Sequence, residues 1–172
     1  MYFELFPTVD YVNFGQTNSK TVTNITKRPA VRQAIKDNLT VFTKHIIRSG
    51  ETPESLAFDF YGDAELHWII LLTNDIYDRY HQWPMNVNQF QTYVNEKYSD
   101  PFATHHFEIS QTSGDTTIKI DIGQDDTDHS GATAVTNYQY EQDRQDILRQ
   151  IKLVDPTNAN QFISDFSKLM EE

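Results

Sequence analysis

An α+β fold is what this sequence predicts, on three observations. Between Ile46 and Ile76 two helical patterns follow one another across a Tyr61-Gly62 break, each with its own start signal. Between His105 and Ile122 two short runs rich in β-formers alternate with period two, as a β-hairpin requires. From Asn158 onward Phe162, Ile163, Phe166, Leu169 and Met170 recur at helical spacing and make an amphipathic stripe.

The elements follow in order. Met1 to Phe14 alternates aromatic and other residues without a helical stripe, and Gly15 to Thr26 is rich in Thr and Asn, so the chain opens as an extended arm. Tyr2, Phe3, Phe6, Tyr11 and Phe14 are too apolar for such an arm to stand alone, so they lie against a core or a partner. Pro29 suits a helix start, and Ala30 to Asp37 reads as a short helix with Val31, Ala34 and Ile35 inward. Val41 to Arg48 is a strand.

Thr52 caps the next helix with its side-chain oxygen, Pro53 fits its first position, and Leu56, Ala57 and Phe60 share its inner face. Gly62 tolerates the positive φ that ends it. The second helix, Glu65 to Thr73, carries Leu66, Ile69, Ile70 and Thr73 on one side and Trp68, Leu71 and Leu72 on the other. A helix apolar nearly all round must be covered on both faces, by this chain or by a partner subunit. Asn86 and Gln89 form a capping box that opens a helix with Val87, Phe90, Val94 and Tyr98 inward. His105 to Ile109 and Thr117 to Ile122 are the hairpin strands, turning at Ser113-Gly114-Asp115, with Ile118, Ile120 and Ile122 on one face. Gly123 to Asn137 is a polar loop, Tyr140 to Leu148 a charged helix, and Gln150 to Val154 a short strand before the final helix.

Composition excludes several classes of function. A formal charge of −11 argues against gripping nucleic acid, which requires Lys and Arg to displace counterions from phosphates. The one modest basic stretch, Lys27, Arg28, Arg32 and Lys36, is a solvated face or a dock for an acidic neighbour. There is no cysteine, so disulfide and thiolate chemistry are absent. No run of eighteen apolar residues occurs and the N-terminus has no basic-then-apolar leader pattern, so neither a membrane span nor a signal peptide is expected. At 172 residues there is room for one sizeable core.

Chemical constellations are weak. Asp126-x-Asp128-x-Ser130-Gly131 imitates the start of a calcium loop, but Asn137 stands where the bidentate Glu belongs. His105 and His106 are adjacent on a strand and are expected to point to opposite faces, so with His129 they do not readily grip one ion. Glu51, Glu54, Asp59, Asp63 and Glu65 surround the two helices, where charges at helix starts offset the dipole without any catalysis. With no nucleophile elbow, phosphate loop or zinc spacing, no enzyme, catalytic residue, metal or cofactor is expected.

Gly50, Thr52, Leu56, Ala57, Tyr61, Gly62, Trp68, Ile69, Ile70 and Asn74 resemble the Gly-x-Thr-x-x-x-Leu-Ala, then Trp-Ile and Asn, pattern of the LysM domain, a βααβ module that commonly binds N-acetylglucosamine polymers. The longer run from Ser49 to Tyr98, with YGDAELHWIILLTNDIYD and QWP, together with the opening MYFELFPTVDY and the closing RQIKLVDPTNANQFISDFSKLMEE, resembles the LysM-containing baseplate wedge subunit of T-even-like contractile-tailed bacteriophages. Only Ser110 to Asn137 falls outside that likeness.

The resemblance implies a LysM-like βααβ module, to which the residues themselves add an extended N-terminal arm, a β-hairpin insert and a C-terminal amphipathic helix. The expected segments are an arm and short helix over 1–40, the module with its following helix over 41–98, the insert over 99–137 and a helix-strand-helix tail over 138–172. It implies a structural part of the virion tail baseplate, made in the host cytoplasm, that clamps neighbouring wedge subunits and promotes joining of wedges around the central hub. Its partners are then other wedge subunits and hub-proximal tail proteins, with no nucleic acid and no membrane.

Large aromatics carry disproportionate interface energy, which makes Tyr2, Phe3, Phe6, Tyr61, Trp68, Tyr77, Tyr80, Trp83, Phe162 and Phe166 the candidate contact residues. Trp68 and Tyr61 serve equally well as core residues. The alternative is LysM-type glycan binding to peptidoglycan through Gly50, Glu51, Thr52, Asn74 and Asp75. Two departures weigh against sugar: Pro53 stands where the module has an apolar residue, and its final strand is not obvious in Tyr77 to Trp83.

Overall fold

The computed structural model of the chain describes residues 2–15, 17–27, 30, 31, 41–112, 114, 117–124 and 130–171. They form two compact units, Met1–Trp83 with Gln150–Glu172, and Pro84–Arg149. Both helices and strands contribute, so the α+β expectation holds. Of the expected helix over Ala30 to Asp37 all but Ala30 and Val31, most of the basic stretch and the calcium-like residues Asp126 and Asp128 lie outside the described residues, as do His129, Ser113 and Asp115.

The first unit is built around a β-α-α-β order. Strand β3 (Phe42–Ile46) leads into α1 (Pro53–Tyr61), a 3-10 turn (Ala64–Leu66) and α2 (His67–Thr73). Local chemistry sets each boundary. Thr52 Oγ1 accepts from the Ser55 N–H at 3.1 Å while Ser55 Oγ accepts from the Thr52 N–H at 3.0 Å, a reciprocal cap. Gly62 ends α1 at φ +78° with its N–H on the Phe58 carbonyl, a conformation strained for any residue with a Cβ. Asp63 Oδ1 then accepts from the Glu65 N–H at 2.8 Å and restarts the helix.

The strand that closes this arrangement comes from far along the chain. β7 (Gln150–Val154) runs antiparallel to β3, with Phe42 opposite Val154 and Ile46 opposite Gln150. Residues Tyr77 to Trp83 are instead a short loop holding α3 (Arg79–Gln82), so the whole second unit stands in sequence between α2 and the closing strand. α6 (Pro156–Glu171) follows β7, starting two residues before the Asn158 expected from the sequence because Pro156 is itself at ease in a first turn.

α2 lies between two cores and feeds both. Trp68, Ile69 and Leu72 join Phe6, Phe42, Val154, Phe166 and Met170. Ile70 joins Ile47, Leu56, Ala57, Ile151 and Leu153. The chain itself therefore covers the all-apolar helix on both faces. Ile69, Ile70 and Leu153 are fully buried, each contributing roughly 1.5–3 kcal/mol by area.

The N-terminal stretch, expected as an extended arm, has local structure. A 3-10 turn (Tyr2–Leu5) places Tyr2 and Phe6 against the first core. β1 (Thr8–Val12) and β2 (Ser19–Thr23) then pair antiparallel, Thr8 opposite Thr23 and Val12 opposite Ser19, joined through a turn at Gly15. All of β1 is exposed, and Phe14 is fully so.

The second unit opens with α4 (Val87–Lys97), capped as expected by Asn86 and Gln89. Phe90 and Val94 are buried, whereas Val87 is exposed because the stripe runs out to solvent in the first turn. β4 (Thr104–Ser110) is central in a three-stranded antiparallel sheet, flanked by β5 (Lys119–Gly123) and β6 (Thr133–Thr136), with α5 (Asn137–Arg149) following β6. Glu141 of α5 is 1 % exposed and held by four neighbours: Lys97 Nζ at 2.6 Å, the Tyr98 hydroxyl at 2.8 Å, the Tyr93 hydroxyl at 3.4 Å and Arg144 at 3.6 Å.

Two expectations about this sheet are corrected: Thr133–Thr136, expected within a polar loop over Gly123 to Asn137, is a strand, and the adjacent imidazoles His105 and His106 do not point apart. The register of β4 against β6 shifts between Thr104 and His106, and that bulge brings the adjacent imidazoles together, Nδ1 to Nδ1 at 2.9 Å, where regular alternation separates them. His105 stacks on Tyr140 with centroids 3.9 Å apart, and His106, 6 % exposed, contacts Glu108 at 3.1 Å. Among the described residues no group of three His, Cys, Asp or Glu side chains is arranged to hold a metal ion.

Candidate protein-protein interface

Six of the ten aromatics singled out in the sequence meet at one place. Trp68 on α2 lies 4.7 Å from Phe166 and 6.3 Å from Phe162 on α6, and 5.2 Å from Tyr2. Tyr2 in turn packs edge-on to Phe3 and Phe6. These separations suit aromatic pairs, each worth about 0.5–1.5 kcal/mol beyond burial. Trp68, Phe6 and Phe166 are buried, Tyr2 and Phe162 half-buried, and Phe3 58 % exposed, so the cluster grades from core to surface. Burial also raises the Tyr2 hydroxyl above its ordinary pKa.

At the surface end of that cluster is a largely apolar groove of about 640 Å³, lined by Tyr2, Phe3, Trp68, Leu71, Leu72, Ile76 and Tyr77 together with the polar Lys27, Glu65 and His67. Lys27 also donates to the Met170 carbonyl at 2.8 Å, offsetting the negative C-terminal end of α6. Phe162 lines a second groove of about 490 Å³ with Val31, Val41 and Leu169.

Tyr77 and Tyr80, 72 % and 84 % exposed, are carried on a loop that is firmly held. Gln82 Oε1 accepts from both the Tyr77 and Asp78 N–H groups at 2.8 Å, and Asp78 caps α3 through the Tyr80 N–H at 3.0 Å. Arg79 grips both carboxylate oxygens of Glu54, which ties the loop to the start of α1. Hydrogen bonding from His81 leads the effects that hold the Asp78 carboxyl below its usual range. The remaining two aromatics sit on the other core: Tyr61 and Trp83 pack against it half-buried, and burial pushes the Tyr61 hydroxyl up to about 12.

The residues of the glycan alternative are engaged within the chain. Burial opposes ionisation of Glu51, yet the hydrogen bonds from His45 at 3.0 Å and from the Arg48 N–H at 2.9 Å prevail and lower its pKa. The Glu51 carbonyl accepts from the Trp83 indole at 2.8 Å. Thr52 is the α1 cap, Gly50 supplies a φ of +83° in the turn, and Asp75 at φ +55° follows the end of α2. Asn74 reaches β7, donating to the Lys152 carbonyl and accepting from its N–H, both at 2.8 Å.

That double contact was not visible in the sequence, because nothing local links positions 78 residues apart. It replaces a ladder partner on the outer side of β7, so Asn74→Ala is expected to destabilise the protein by about 1–3 kcal/mol, as leaving buried backbone groups unpaired does. Urea unfolding of the variant against the parent measures it, and Asn74→Asp is expected to fall short of rescue because it accepts but no longer donates to the Lys152 carbonyl.

The comparisons with known proteins agree on one assignment. The family model described as base plate wedge protein 53 matches residues 1–106, a span that includes the N-terminal turn, the β3-α1-α2 run and the Tyr77–Gln82 loop. The baseplate wedge protein gp53 of Enterobacteria phage T4 is 26 % identical over 144 residues, covering 74 % of this chain and 73 % of that protein. The chain belongs to the phage base plate wedge protein 53 family.

Proposed function

We propose that this structural baseplate wedge protein clamps neighbouring wedge subunits through the Tyr2-Phe3-Leu71-Tyr77 groove and the adjoining Tyr77–Gln82 loop, and so promotes the joining of wedges around the tail hub. The observation that carries this reading is the pairing of two strongly exposed tyrosines with a loop already fixed by hydrogen bonds. An exposed aromatic held in place loses little conformational freedom on binding, which is what makes such residues effective anchors. Phe3 and Tyr77 line the groove beside them and offer the apolar floor an interface centre needs. The chain's −11 charge favours neighbours with basic rims. No catalytic role enters the proposal, since Glu51 and Glu54 are spent on the turn and on Arg79. Sugar recognition has weaker support, because Glu51, Thr52 and Asn74 already satisfy internal partners.

The test adds purified chain to wedge complexes assembled without it and follows their sedimentation. Tyr77→Ala and Tyr80→Ala are expected to leave the isolated protein's unfolding midpoint within about 0.5 kcal/mol of the parent. Each is expected to weaken incorporation by about tenfold or more, as truncated anchors do. Parent-like incorporation by the double variant would overturn the assignment of this surface.

A further inference from the structure

We propose that the outer edge of β5 is a self-recognition site, through which two copies of the chain pair antiparallel about a two-fold axis at Ile120. This goes beyond the wedge reading and is independent of it, since it uses the second unit and none of the groove or loop residues.

β5 is an edge: the sheet order is β5-β4-β6, no described strand lies beyond β5, and Lys119, Ile120 and Asp121 are all exposed. The direction of its backbone groups follows from the pairing with β4. The Ile118 carbonyl accepts from the Gln111 N–H at 2.9 Å, and Ile109 stands opposite Ile120, so the polar groups of Ile118 and Ile120 face inward and those of Lys119 and Asp121 face outward. Open edges of this kind accept a further strand.

The sequence here reads Ile118-Lys119-Ile120-Asp121 and selects its own copy. Centred on Ile120, an antiparallel pair puts Lys119 of each copy opposite Asp121 of the other and Ile120 opposite Ile120. The parity also fits. Lys119 and Asp121 become the hydrogen-bonded pairs, using the outward groups, while Ile120 becomes the close non-bonded pair between them. A register one residue away sets the apolar face against the polar one. Such a contact is isologous and closes on itself.

Two further features fit this occupant. Glu108 stands directly opposite Asp121 within the sheet, a like-charged cross-strand pair that is unfavourable alone, and the incoming lysine would land beside both carboxylates. In the single chain Lys119 Nζ donates to the Ser110 hydroxyl at 2.9 Å, its one partner among the described residues, and Ile118 and Ile120 are 48 % and 42 % exposed. Pairing would join two such isoleucine pairs into one apolar strip.

Sedimentation equilibrium of the full chain across the micromolar range tests it. The parent is expected to show a monomer-dimer equilibrium, weakened about tenfold or more by Lys119→Asp or by Asp121→Lys, since each sets like charges at two symmetric positions. The double exchange Lys119→Asp with Asp121→Lys is expected to restore it. Mixing the two single variants is expected to give a heterodimer that neither forms alone, which also shows that both remain folded. A parent that stays monomeric throughout, or a mixture that stays monomeric while the parent dimerises, would overturn the proposal.

Discussion

Trp68→Ala is expected to lower the unfolding free energy of the protein by about 3–5 kcal/mol, the range for emptying a buried Trp position. The indole, itself on α2, is 6 % exposed and contacts Phe166 and Phe162 from the end of the chain and Tyr2 from its start. Its loss leaves a cavity those rings cannot all collapse into, because Phe166 is also held by Phe6 and each ring is fixed by its own element. The measurement is urea unfolding combined with amide exchange. Exchange should accelerate in α6, which has lost an aromatic support. Trp68→Phe should recover part of the stability by retaining an aromatic contact. A variant that unfolds like the parent yet fails to join wedges would make Trp68 an interface residue, contrary to its burial.

The case of Trp68 shows how far the sequence reaches. Its apolar surroundings on α2 announced burial, but whether the chain or a partner supplied the cover was open, since periodicity reports that a face is apolar and not what lies against it. The same division runs through the molecule. Thr52, Gly62, Asn86 and Gln89 act within a few residues of themselves, and each boundary they mark appears in the structure. The strand Gln150–Val154 was likewise readable from its apolar pattern. Its antiparallel pairing with Phe42–Ile46 was not, because no local signal reports a partner more than a hundred residues away. For the same reason the sequence shows no obvious closing strand in Tyr77 to Trp83, and the structure has a loop and one helical turn there. The paired imidazoles failed for a different reason: one extra residue at the β4 bulge cancels the alternation on which the expectation rested. The candidate interface was legible as a set of aromatics, while their grading from core to surface depends on packing.

Glu141 carries the second large effect. The sequence places it on a charged helix over Tyr140 to Leu148; in the structure its side chain is 1 % exposed and faces Lys97, Tyr98, Tyr93 and Arg144. Removing one partner of a buried ion pair costs about 3–5 kcal/mol, and because Lys97 is 38 % exposed and can be rehydrated, Glu141→Ala is expected near the lower end, about 3 kcal/mol. Lys97→Met with Glu141→Leu should recover much of that loss, because it leaves no charge stranded in the site. A pH dependence accompanies the pair. Burial works against the Glu141 charge, but the hydrogen bonds from Lys97 and Tyr98, then the charges of Lys97 and Arg144, outweigh it and lower its pKa, while the same contact raises that of Lys97. A carboxyl whose folded pKa lies below its unfolded value binds its proton first in the unfolded state. Its contribution is therefore complete above the unfolded glutamate value, about 4.3, and is lost as pH falls through the folded value. Urea unfolding at neutral pH and at successively more acidic pH should show the parent losing stability faster than Glu141→Gln, whose side chain has no proton to gain. Equal slopes for the two proteins would mean that the carboxylate is solvated and that the four neighbours do not hold it.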